Sequence, residues 1–526
     1  MRNWLPILVL GLTQFVMVLD GTVMNVSISA VVGDLGTSVS AMQLAIATFT
    51  LTMAAFMLAG AGLGTRLGRR RTFLIGNLVY AVGSLITALA PNFTALFLGW
   101  SLVEGLGAAL VVPAIASLAA FNYSGRERAL AYAVLGGIAG AASAAGPLIG
   151  GWMTSTLSWR YVFVIETALI LGLILPLHRR IRDERPAMQK GPFDWLGVLG
   201  SALAMGIVVL ALVSASSWGM VMPLNPPFTV AGFSPTLPLV IIGALVGWGF
   251  CSWEEQVQRR GGQPLLGLDL MHIPELRAGL ASQMVLYFIV AGSFFILPLY
   301  LQTVLELDAL QSGIRMLPLS LCLFAVALLG SKLAARVAPR SLIRSGLLIA
   351  CAGLVLLIGA ITPDARGHLF TLAMAVIGSG VGLAISQIGN VNLSAADASR
   401  STEVGGLQGT AQNLGSSLGV ALAGTVLFIG LAQQLNTAVA NSAVISPQLQ
   451  QATRDATASG VQVVPGSSLQ QLMQEASLPD KQANALLQDY NSSKLQALRR
   501  GLGIVLIAGL LALPLTRALP DRPLQS

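Results

Sequence analysis

The sequence predicts an all-α polytopic membrane protein of fourteen transmembrane helices, arranged as two pseudo-symmetric six-helix bundles with two helices inserted between them. Three observations lead to this class. Of 526 residues, 55% are hydrophobic and only 10% are charged, and the mean hydropathy is +0.76, a balance that ordinary soluble domains of this size do not show. Fourteen apolar runs come close to or exceed the ~20 residues a helix needs to cross a bilayer. The basic residues fall mostly in alternate loops, as expected of a chain threaded back and forth under the positive-inside rule.

Taken in order, the expected spans are 5–32, 43–65, 72–90, 94–121, 128–153, 160–178, 194–216, 236–254, 277–303, 311–335, 341–361, 368–393, 402–434 and 498–516. The first follows Arg2 and lacks a small-residue cleavage site, which predicts a retained helix and not a removed signal peptide. With a cytoplasmic N-terminus, the inside loops collect Arg66, Arg69, Arg70 and Arg71, then Arg126 and Arg128, then the cluster from Arg179 to Lys190. Continued to Arg522, this places 22 of the 30 basic residues inside. Five of the other eight sit in or after one long outside segment, whose charge does not set topology. Both termini are therefore expected in the cytoplasm, with the chain multi-pass in a cell inner membrane or plasma membrane.

The second half of the chain echoes the first. Leu63, Arg66 and Arg70 recur as Leu333, Arg336 and Arg340 at a constant offset of 270, each set following the second span of its half. This assigns 1–186 to an N-terminal six-helix bundle and 187–260 to a linker and two inserted spans. Residues 261–435 supply the first five helices of a C-terminal bundle, and 498–526 its last helix and a cytoplasmic tail. Between them, 436–497 reads as a polar extracytoplasmic loop. Leu469, Leu472 and Met473, then Leu486, Leu487 and Tyr490, recur at helical spacing on either side of Pro479. That pattern predicts two short amphipathic helices, serving as a cap on the outer mouth or as a surface for an accessory protein. Repeated halves of this kind place a substrate site at their interface near the bilayer midplane.

Three carboxylates interrupt the apolar runs. Asp20 lies about 15 residues into the first span, roughly 22 Å at 1.5 Å per residue, past the middle of a hydrocarbon core about 30 Å thick. Glu104 is central in the fourth span, and Glu166 is shallower in the sixth. A central acidic residue costs about 2.5–3.5 kcal/mol on insertion scales. Each therefore needs water, a partner or a proton. Burial and a neighbouring carboxylate favour the protonated form of a carboxyl and a cation favours the ionised form, so such groups suit exchange of a proton for a cationic substrate. Met17, Asp20 and Met24 share one helix face, and thioethers adapt to varied apolar ligands. Tyr287, Phe288, Phe294 and Gln302 in the ninth span are candidate walls and a polar contact for the same substrate. Arg160 and Arg315, near the outer ends of the sixth and tenth spans, are candidate counter-ions or snorkelling cations.

Several stretches, in order, resemble the major facilitator superfamily, and within it the fourteen-helix drug:proton antiporter branch of multidrug efflux type. LDGTVMNVSIS at 19–29 is similar to that branch's L-D-x-T-x-x-N-V-A-L-P, with Ser29 in place of proline. GLGTRLGRRR resembles G-x-L-x-D-R-x-G-R-R, with Ala61 for the first glycine and Thr65 for the aspartate. GGIAGAASAAGPLIGG at 136–151 resembles the antiporter signature ending G-P-x-x-G-G, and SWRYVF at 158–163 resembles S-W-R-W-x-F. LQTVLELDALQSGIRMLP and EVGGLQGTAQNLGSSLG resemble second-half signatures.

The resemblance implies proton-coupled export by alternating access, and a monomer. It implies a cytoplasmic conformational latch at Arg66, Gly68, Arg69 and Arg70, and an exchange-linked helix at Gly146, Pro147, Gly150 and Gly151. Two departures bear on mechanism. Ser101 and Glu104 stand where the family has the arginine and glutamine of R-x-x-Q-G-x-G, and Glu166 stands where asparagine is frequent. The coupling carboxylate is thus expected to have moved or been duplicated, with Asp20 and Glu104 as the central pair.

Other chemistries are poorly supported. None of the four lysines follows a glycine, so the phosphate-binding G-K-[ST] is absent. The three histidines make no H-E-x-x-H pattern, and the three cysteines lack metal-ligand spacing. The net charge of +8 is topological and does not point to nucleic acid. The expectation is a transporter without metal or cofactor, not an enzyme, that exports hydrophobic or cationic small molecules. A lipid or amphiphile transporter of the same fold stays open, as do an intramembrane carboxylate enzyme and a membrane sensor.

Overall fold

The computed structural model describes the chain except for residues 1–3, 124, 183–192, 224–225, 263, 335, 365–366, 397–399, 460–462, 477 and 523–526. The N-terminal bundle comprises α1 (Leu5–Leu35), α2 (Val39–Leu67), α3 (Arg69–Ala88), α4 (93–122), α5 (Gly125–Thr156) and α6 (160–177). The inserted pair is α7 (Trp195–Trp218) and α8 (Thr236–Arg259). There follow α9 (Pro274–Thr303), α10 (Ala309–Leu333), α11 (Pro339–Ala360), α12 (Gly367–Ser394) and α13 (Ser401–Asn441). Two short helices, α14 (Pro447–Ser459) and α15 (Gly466–Glu475), precede α16 (Asp480–Ala512). Among the described residues, 13 helices are long and apolar enough to cross a membrane, and α5, bent by 41° near its middle, makes up to 14.

Local signals set the helix ends. Ser38 caps α2 through the Ala41 amide, and Asp308 with Gln311 forms a capping box at α10. Between α2 and α3 the chain reverses at Gly68, whose φ of 95° is a conformation that L side chains rarely adopt.

The two bundles share one packing scheme. α1 packs on α5, α2 and α3 on α4, and α3 on α6; in the same way α9 packs on α13, α10 and α11 on α12, and α11 on α16. The 270-residue echo thus marks equivalent turns, α2 to α3 and α10 to α11. The bundles meet where α2 lies along α13 and α5 along α10, with α7 filling the α2–α13 side. Apolar residues on α7 and α8, including Leu196, Leu203, Ile241 and Trp248, point outward, as a lipid-facing surface does.

The segment 436–497 differs from its expected form. α13 extends to Asn441, α14 is an additional helix, and Leu486, Leu487 and Tyr490 belong to the first turns of α16. No breaker separates Asp480 from Ala512, so the second short helix continues without interruption into the last membrane span. Buried Lys494 fastens this segment to α9, donating to the carbonyls of Thr303 (2.6 Å) and Val464 (3.0 Å). The charged linker expected at 179–193 is described only up to Arg182 and from Phe193.

Candidate functional site

Asp20, Glu104 and Glu166 come from three helices of the N-terminal bundle and converge at one point. Each contributes a carboxylate oxygen to a set lying within 4.8 Å of one another, and all three residues are fully or almost fully buried. Sequence position alone suggested a central pair with Glu166 shallower; the packing of α3 between α4 and α6 closes the three into a triad.

Close helix approach makes this possible. A Cβ on Gly83 would sit 2.5 Å from the Glu104 amide nitrogen, so only glycine lets α3 and α4 cross there. The backbone also widens beside two of the three acids. α4 is π-helical over Phe97–Glu104, and α6 over Ile170–Ile174, just beyond Glu166. Such segments recur at functional sites because the wider turn redirects side chains. In α4 it leaves Trp100 and Glu104 on the same side, both facing α1.

Neutral donors surround the triad. The Trp100 indole N–H donates to both oxygens of Asp20, at 3.0 and 3.1 Å, and its ring stacks on Phe49. Ser84 Oγ lies 3.3 Å from Glu166 Oε2 and 3.1 Å from the carbonyl of Phe163. The buried Tyr80 hydroxyl faces Asp20 and Glu104 without a hydrogen bond of ordinary geometry. Both Glu104 oxygens and Glu166 Oε1 are likewise buried and unpartnered. At an effective dielectric near 20, two unit charges within 4.8 Å repel by about 3.5 kcal/mol or more. Three such pairs make simultaneous ionisation of the closed triad untenable, so protons or a bound cation must offset it. The three oxygens are also near enough to share one metal ion.

The remaining predicted positions separate into groups. Met24 is core, and Met17 is buried in the neighbouring apolar cluster of the N-terminal bundle. Phe288 and Phe294 are packed into the main core, whereas Tyr287 stays partly exposed. Gln302 is spent on a structural bond, donating to the Val26 carbonyl at 2.7 Å and tying α9 to α1. Neither arginine is a counter-ion of the triad. Arg160 pairs with Asp34, donates to Ala90 O and stacks on Trp159; Arg315 is exposed near Gly367. Both are held where water or surface acids solvate them.

The small residues of α5 sit at two crossings. Gly146 and Gly150 meet Thr22 and Val23 of α1, while Gly151 meets the backbone of α10. Pro147 has no amide to offer the Ser143 carbonyl, and Ser320 of α10 approaches that carbonyl instead, at 3.4 Å. Next to the Gly68 reversal, Arg66 lies over the Phe193 ring, Arg69 over Phe121, and Arg70 donates to the Ile181 carbonyl. The turn is thereby tied to the ends of α4 and α6 and to the linker. The side chain of Thr65 lies outside the described residues.

Sequence reasoning missed Trp100, Tyr80 and Ser84. One signal was available: Trp100 precedes Glu104 by four residues, whereas Tyr80 and Ser84 become candidates only once α3 is seen packed on both α4 and α6.

Comparison with known proteins extends this picture. The model of the Major Facilitator Superfamily matches residues 10–420. A tetracenomycin C resistance and export protein of Streptomyces glaucescens is 27% identical over 99% of this chain and 93% of its own length. A puromycin resistance protein of Streptomyces alboniger is 31% identical over 81% of the chain and 82% of its own. A probable actinorhodin transporter of Streptomyces coelicolor is 28% identical over 84% and 75%. Among solved structures, an inward-facing, unoccupied bacterial homolog of the human lysosomal transporter Spinster superposes with a TM-score of 0.64 at 16% identity, covering 99% of this chain and 98% of that one.

Proposed function

The chain belongs to the major facilitator superfamily as a secondary transporter that exports small molecules, and from that premise we propose that it expels hydrophobic or cationic compounds in exchange for protons. The observation that carries the proton step is the triad. Three buried carboxyls facing one another, with neutral donors only, form a site whose charge changes when protons leave, and a substrate cation compensates that change. Related chains named for resistance to, or export of, puromycin and tetracenomycin C support a substrate in the same broad class.

Alternating access supplies the route. Gln302 to Val26, the Leu310 amide to Ser155 Oγ (3.2 Å) and Gln43 to the carbonyls of Val420 and Ala421 join the bundles around the ends of α1, α2 and α5 that lie away from the N-terminus. Taking the termini as cytoplasmic, this is the outer side, closed here. Rocking of the halves about α2–α13 and α5–α10 exposes the triad to each side in turn, with the Gly146-Pro147 bend as the flexible crossing and the Arg66 to Arg70 turn as the inner latch. Orientation, a monomeric state and location in a cell inner membrane or plasma membrane belong to this reading, as does its acting without enzyme chemistry or cofactor. Of the predicted contacts, the partly exposed Tyr287 remains the side chain best placed to meet substrate.

The test is accumulation of a fluorescent lipophilic cation by cells expressing the chain. Lower accumulation that a protonophore restores supports the reading; export unaffected by the protonophore removes the proton step. In vesicles with an imposed pH gradient, Glu104→Gln is expected to reduce coupled transport, and undiminished transport would take Glu104 out of the mechanism.

A further inference from the structure

We propose that Asp20, Glu104 and Glu166 together form a two-proton site, with the protons on Glu104 and Glu166 and with Asp20 kept as the anion, so that two protons move per substrate exported. The proposal rests on the proton-coupled reading above and adds its stoichiometry and the residues that set it.

The argument is a count of hydrogens. Asp20 accepts the Trp100 N–H at both of its oxygens, the pattern of an ionised carboxylate. Ser84 has one hydroxyl hydrogen, and the Phe163 carbonyl beside it can only accept. That one hydrogen serves both Phe163 and Glu166 Oε2, 3.3 Å away, and Glu166 Oε1 is buried with no donor, so the carboxyl is too poorly solvated for an anion and is held as the acid. Glu104 is fully buried and has no hydrogen-bond partner at either oxygen, the most costly arrangement for an anion. Protonated, it removes one of the three charges that repel one another within 4.8 Å.

A fourth buried group points independently into the cluster. The Tyr80 hydroxyl is unpartnered and aimed at Asp20 and Glu104, positioned to bridge them once a proton arrives or leaves. Among the described side chains, α1, α3, α4 and α6 bring these four ionisable groups to the site; α2 has no Asp, Glu, His, Lys or Arg between 39 and 65, and α5 none between 129 and 156.

The balance is explicit. Loading forms two O–H bonds, one on Glu104 and one on Glu166, and takes the triad from three negative charges to one. Unloading breaks both, and the cationic substrate then faces the exposed charge. Neither glutamate is expected from the resembling motifs, which have glutamine and asparagine there, so the second proton is a property of this chain.

The experiment uses the purified full-length protein in liposomes with the membrane potential clamped at zero, in sodium-free, chelator-treated medium. The probe is a quaternary lipophilic monocation, whose steady-state gradient is read against imposed pH gradients. Two coupled protons predict that a tenfold proton gradient sustains a roughly hundredfold substrate gradient, and one coupled proton about tenfold. Glu104→Gln and Glu166→Gln, each confirmed as folded by gel filtration, are expected to drop the wild-type slope from two to one. A wild-type slope of one overturns the two-proton site and leaves proton coupling intact; a slope of zero overturns both. A slope of two only when sodium or a divalent ion is present would assign the triad to that cation.

Discussion

Trp100 is the residue on which the ionised member of the triad depends. Its indole is the donor to Asp20, so Trp100→Phe keeps most of the ring stacking on Phe49 and removes the hydrogen bond. Leaving a buried carboxylate without that donor costs about 1–3 kcal/mol. A lower melting temperature in detergent, together with weaker exchange, is the expected result. Asp20 and Glu104 were legible in the sequence because a charge inside an apolar run has no cheap explanation. Tyr80 and Ser84 were not, since neutral polar residues on α3 look like any helix packing until the α3–α4 crossing at Gly83 is known. Outside the membrane, Arg400 pairs with Asp269 and holds its carboxyl below the ordinary carboxylate range, chiefly through their hydrogen bond. A depressed folded value means that the contribution is present above the unfolded value and is lost as pH falls through the folded one. Acidification below about pH 4 should loosen this contact at the start of α13, modestly because the pair is exposed. Asp269→Asn should flatten the acid limb of a melting profile measured against pH.

Among the elements, α5 shows how a single missing amide shapes a seam. Pro147→Ala returns a donor to the Ser143 carbonyl, which Ser320 of α10 now approaches. Because an interior proline costs a helix about 3 kcal/mol, the variant is expected to melt higher and to exchange substrate more slowly; faster or unchanged exchange would show that the bend is not used. The G-P-x-x-G-G pattern made this bend readable beforehand. The end of the 436–497 segment was less readable, because its second amphipathic stretch and the last membrane span share one unbroken helix from Asp480 to Ala512. Periodicity distinguishes apolar faces from polar ones but does not reveal where a helix leaves the lipid.

At the scale of the whole molecule, fourteen spans, two halves and an inserted pair follow from hydropathy, loop charge and a weak internal echo, because lipid forces backbone groups into complete helices. Which faces meet does not follow, and the seam depends on it. Ser155 and Leu310 are neighbours across the closed side of α5 and α10. A cysteine pair at these positions, in a background lacking Cys251, Cys322 and Cys351, should form a disulfide that arrests transport until reduced. Continued transport with the bond intact would mean that the bundles need not separate there. The central claim is that substrate cation and protons compete for the triad, and it is tested most directly by adding a quaternary lipophilic cation to the purified protein in weakly buffered solution. Proton release on binding is expected from the wild type and is expected to be lost in the combined Asp20→Asn, Glu104→Gln, Glu166→Gln variant; saturable binding by the wild type with no proton released would contradict it.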